Sequence, residues 1–136
     1  MITQDDLATL HHLRAAWEGG EARALSGASL AAVPGRAEGR VAHWAFGRAA
    51  DVLEHAARRR LKIGSGLAPS ADEIALLRIA RALGSSDWRT AEDAALWLVR
   101  RDAVSAFLNA LAPAACALYR GDQGKAAPRR LNAATA

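Results

Sequence analysis

Trp44, Arg48, Asp51 and His55 are spaced four, three and four residues apart. At about 100° per residue, an α-helix puts all four on one stripe. An indole beside a guanidinium can anchor a protein interface or offer a stacking platform to a base. The alternative is that Trp44 packs on another helix of a bundle with Arg48 stacked against it. Asp51 and His55 have the one-turn spacing of two metal ligands. With no third ligand beside them, a surface ion pair is the simpler expectation. The run Arg58-Arg59-Arg60-Leu61-Lys62 follows. It could meet phosphate or an acidic partner, but cations also suit the negative end of a helix and its last carbonyls. Residues 36–62 hold seven basic and three acidic side chains, a net of +4, equal to the formal charge of the whole chain. The candidate partner-binding set is therefore Trp44, Arg48, Asp51, His55, Arg58, Arg59, Arg60 and Lys62.

Other motifs carry less. Gly64-Ser65-Gly66 precedes a predicted helix as a phosphate cradle would, but no Lys follows and Asp72 and Glu73 stand where the anion would sit. The helices on either side of Gly84-Ser85-Ser86 suggest a helix-turn-helix. The second of them opens with Glu92 and Asp93, which would face phosphate, and a DNA-reading motif is not expected. His11 and His12 are adjacent, diverge on a helix and fall outside its apolar stripe. Cys116 flanks the inner stripe of the last helix and is expected to be a buried structural thiol. No nucleophile–base motif or zinc signature is present. No catalytic residue, metal ligand or cofactor is assigned, and the chain is expected not to be an enzyme.

Composition sets the frame. The chain has 136 residues, enough for one domain with a real core. Ala, Leu and Arg favour helix. Arg outnumbers Lys 16 to 2, a bias that a GC-rich bacterial genome explains without selection for phosphate contacts. The charge is uneven, near −2 over residues 1–35, zero over 63–121 and +2 over 122–136. The single cysteine excludes an intrachain disulfide. The N-terminus does not read as a signal peptide, and no apolar run of about 18 residues suggests a membrane span. The expected compartment is the cytoplasm.

The elements that must position the stripe follow from periodicity and caps. A first helix starts at Thr3, presents Leu7, Leu10, Leu13 and Trp17 on one face, and ends at Gly19-Gly20. Residues 21–35 are ambiguous between a helical turn and a loop. A second helix runs from about Glu38 to Lys62, with Val41, Ala42, Ala45, Phe46, Ala49, Val52, Leu53 and Ala56 inward and Gly64 as its stop. Ser70 and Glu73 form a capping box for a third helix ending at Leu83, apolar on nearly all sides and so expected at the centre. A fourth helix begins between Ser86 and Thr90 and ends near Arg101. Asp102 is expected to cap a fifth, 103–120, which turns Val104, Phe107, Leu108, Leu111, Ala115 and Leu118 inward and Pro113 outward.

These readings predict an all-α, single-domain bundle of four to five mostly antiparallel helices over residues 1–121, with a flexible basic tail at 122–136. The function they favour is a small cytoplasmic protein-interaction or regulatory module that meets an acidic or mixed-charge protein surface. A nucleic-acid-associated protein using the same basic helix and tail is the second reading, and a small metal-binding or catalytic bundle the third. Trp17, Trp88 and Trp97 leave room for a homodimer interface. No membrane partner is expected.

Overall fold

The computed structural model describes residues 2–31, 36–64 and 66–119, so the tail predicted for 122–136 lies outside the described residues. Among these, six α-helices pack on one another: α1 (Gln4–Glu18), α2 (Gly20–Ala31), α3 (Arg36–Ala56), α4 (Ala71–Gly84), α5 (Trp88–Ala95) and α6 (Val104–Leu118). A 3₁₀ turn, Arg101–Ala103, leads into α6. The predicted all-α bundle is correct. It has one helix more than the expected upper count because the ambiguous stretch after Gly20 is helical. No described helix is long and apolar enough to cross a membrane.

Two helix starts form as their sequences dictate. Thr3 and Asp6 make a reciprocal capping box on α1, and Ser70 and Glu73 make another on α4. Gly19, at φ +77°, breaks the chain between α1 and α2 in a conformation that costs other residues more. On α3, Ala42, Ala45, Phe46, Ala49, Leu53 and Ala56 are buried. The four alanines allow close contact with α6, the most extensive helix pair among the described residues. The central helix is α6, not α4 as the pattern suggested. It touches α1, α3, α4 and α5, whereas α4 leaves Ile74 exposed. Gly84 ends α4 against Tyr119. A Cβ placed there would lie 2.7 Å from Tyr119 Cβ, so close approach requires glycine.

Both ends of the α3–α5 connection differ from expectation for one reason. The second predicted helix was to continue to Lys62, yet α3 stops at Ala56. The fourth was to reach Arg101, yet α5 stops at Ala95. Ala57 and Val99 form an isolated antiparallel bridge. The Arg58 N–H donates to the Leu98 carbonyl and the Arg100 N–H to that of Ala56, each at 2.9 Å. This long-range backbone pairing overrides good local helix propensity. Gly64, at φ +92°, therefore sits in a loop well past the helix end and is not its stop.

Six further residues differ from expectation. Leu7 and Val41 are exposed, not inward, and His12 is buried. Asp6 and Thr9 occupy the core side of α1, which turns its inner face away from Leu7. Cys116 is exposed, because Ala114 and Ala115 take the inward positions at that turn of α6, and Pro113 is half-buried. Asp102 does not cap α6. Its carboxylate faces Arg100 at 3.6 Å, and α6 has no side-chain cap.

Candidate functional site

The buried face of α3 fixes what the opposite face shows to solvent. Trp44, Arg48, Asp51 and His55 are all exposed, together with Val41 one turn before Trp44. Trp44 is 58% exposed, so it is not a core residue. The Arg48 guanidinium lies 5.1 Å from the indole centroid, in cation–π range. The pair thus presents a flat apolar surface with a positive edge.

Asp51 and His55 do not form the expected ion pair. The Asp51 carboxylate faces Arg23 of α2 at 3.7 Å. Arg23 is itself held by the Ala16 carbonyl, which accepts from Nε at 3.2 Å and from Nη2 at 2.6 Å. His55 Nδ1 lies 2.8 Å from the Asp51 carbonyl oxygen. A carbonyl only accepts, so Nδ1 carries the proton and Nε2 faces solvent as an acceptor when the ring is neutral. Beside Asp51, Trp17, Arg23, Ala50 and Glu54 complete a recess of about 190 Å³. The stripe therefore has a raised aromatic end and a small charged hollow at the other.

The basic run is not one surface. It lies beyond the end of α3, so it cannot complement that helix's last turn as expected. Arg58 Nε donates to the Leu96 carbonyl at 2.6 Å and clamps the chain after α5. Arg59 grips Asp72 with both terminal nitrogens, one of them 3.0 Å from Oδ2. Leu61 is buried. The Arg60 and Lys62 side chains are exposed; the Lys62 charge lies within reach of the Asp72 carboxylate, and Arg60 meets no polar partner among the described residues. Only part of the predicted charge is thus available to a partner.

Three buried carboxylates escaped sequence reasoning. Asp6 accepts from Tyr119 Oη at 2.6 Å, from the Thr3 N–H at 2.9 Å and from Arg81. Glu73 takes a forked bond from Arg14, at 2.6 and 2.9 Å, plus the N–H groups of Gly64 and Ser70. Asp72 adds the Lys62 N–H at 2.8 Å to its Arg59 fork. Burial opposes ionisation of Asp6 and Glu73. The hydrogen bonds outweigh it and hold both below the ordinary carboxylate range. Asp72 is lowered mainly by its bond from Arg59. Burial, then the bond to Asp6, pushes the Tyr119 hydroxyl up. Each group is satisfied within its cluster, and no buried side-chain N or O lacks a partner among the described residues. These bonds clamp the helices to one another.

His12 stacks on Phe46, with centroids 5.8 Å apart, while His11 meets it edge-on at 5.0 Å. Burial, reinforced by His11 and His43, lowers the His12 pKa to about 4. Among the described residues, no group of three His, Cys, Asp or Glu side chains is placed to hold a metal ion. Comparison with protein-family models, with curated proteins and with solved structures finds no match to this chain.

Proposed function

We propose that this chain is a small helical interaction module that docks an acidic or mixed-charge protein surface with the outer stripe of α3, in the cytoplasm. The observation that carries the reading is Trp44, 58% exposed under the Arg48 guanidinium. Indole and guanidinium groups are the side chains most often found at the energetic centre of protein interfaces. The ring already rests against its neighbour, a contact that docking need not create. Val41 extends the apolar area, and Arg60 and Lys62 lie past the helix end as sources of long-range attraction. Arg58 and Arg59 contribute less than their sequence suggests, because the fold uses their bonds.

The test is capture from extract of the native cell with wild-type protein, Trp44→Ala and Arg48→Glu, each first shown to be folded by circular dichroism. A partner retained by the wild type and lost by both variants supports the reading. Equal retention by all three contradicts it. A parallel salt titration with mixed DNA and RNA separates the alternative: tight binding at low salt that falls steeply with added salt assigns the surface to nucleic acid.

A further inference from the structure

A second surface, remote from the α3 stripe in sequence, has the features of a ligand site. A half-open cavity of about 500 Å³ is lined by α5, the chain that follows it and the start of α6. That is within the size range of small-molecule sites. Leu96, Val104 and Leu108 supply its apolar surface, the last two buried. Trp88, 39% exposed, and Glu92 stand one turn apart on α5 and line it together. Arg101 lines it from the turn before α6. Ser105 and Asn109 bond to each other at 3.3 Å and neutralise neither charge. Glu92 and Arg101 share the cavity without forming an ion pair, and neither meets another polar partner among the described residues.

We infer that this cavity binds a small zwitterionic amphiphile: a cationic amine at one end, an acidic group at the other and a short hydrocarbon body between. The amine belongs at the Trp88–Glu92 wall, where a ring face and a carboxylate both favour a cation. The acid belongs at Arg101, whose planar fork matches a carboxylate. The hydrocarbon covers Leu96, Val104 and Leu108. A molecule with one charge satisfies one wall and leaves the other unpaired. Charge complementarity thus selects the zwitterion over either parent.

The probes are unbranched ω-amino acids of increasing chain length, each compared with the alkylamine and the alkanoate of equal length, titrated at low salt and followed by backbone amide NMR shifts. The expected result is that one chain length binds on the order of tenfold more tightly than its amine and its acid, with shifts centred on α5 and the first turns of α6. Glu92→Gln should abolish the advantage over the alkanoate, and Arg101→Gln the advantage over the alkylamine. Both side chains are exposed, so these variants should fold. A zwitterion that binds no better than its singly charged relatives, shifts centred elsewhere, or no binding at millimolar concentration would overturn the assignment.

Discussion

The charged clusters of α1 and α4 and the outer stripe of α3 use similar residue types for opposite ends. In the clusters, Asp6, Asp72 and Glu73 are buried, and each carboxylate is held by an arginine together with a backbone N–H, and Asp6 also by a tyrosine. On the stripe, Trp44 and Arg48 meet each other and solvent. The difference lies in what removal leaves behind. A deleted clamp carboxylate strands its donors, the buried Tyr119 hydroxyl among them, whereas a deleted stripe residue leaves only water beside its neighbours. Charge alone therefore does not mark the functional surface of this protein. Charge that the fold does not consume is the better guide.

The largest expected effect is on the clamp side. Asp6→Ala removes the acceptor shared by Tyr119, Arg81 and the α1 cap, and should lower the unfolding free energy by about 2–4 kcal/mol in urea titrations. A loss under about 1 kcal/mol would show that this cluster does not hold the helices together. Next is acidity. Above pH 6.5 His12 is neutral in both states. As pH falls toward about 4, the unfolded chain binds a proton that the buried ring does not, so stability drops through that window. The drop is at most about 3 kcal/mol for this group. Below about pH 4 the three lowered carboxylates add a further loss, because the unfolded chain binds protons there that the folded carboxylates still refuse. His12→Phe should flatten the first limb and leave the second; an unchanged first limb would assign it to other groups.

Gly84→Ala forces a methyl group against Tyr119 and should cost about 1–3 kcal/mol. A neutral result would mean that the end of α6 yields easily. The smallest effect is predicted for the stripe. Trp44→Ala should change the unfolding free energy by no more than about 1 kcal/mol, since only an exposed packing and cation–π contact is lost. A large loss would move Trp44 from the partner surface to the core.

What the sequence showed was local, and what it hid was distant. The caps at Thr3 and Ser70 rest on partners three residues away. The inward alanines of α3 rest on helical periodicity, and so does the grouping of Trp44 with Arg48. The partners of Asp6 lie 75 and 113 residues along the chain, and that of Glu73 lies 59 away. No spacing rule reaches that far. The same holds for the bridge between Ala57 and Val99, which ended two helices early and split the basic run. Periodicity placed Trp44 opposite Phe46 without deciding whether another helix covered it. Tyr119, the only tyrosine in the chain, and the acidic residues of the two capping boxes were visible, but nothing in the sequence paired them.

The central claim is that the outer stripe of α3 is spared by the fold and used by a partner. Its most direct test is the amount of partner retained by a Trp44→Ala, Arg48→Ala double variant whose urea midpoint is first compared with that of the wild type. The expected outcome is a nearly unchanged midpoint and a loss of binding of about thirtyfold or more, the range of an interface hot spot. Undiminished retention of the partner, or a midpoint that collapses with the substitution, would contradict it.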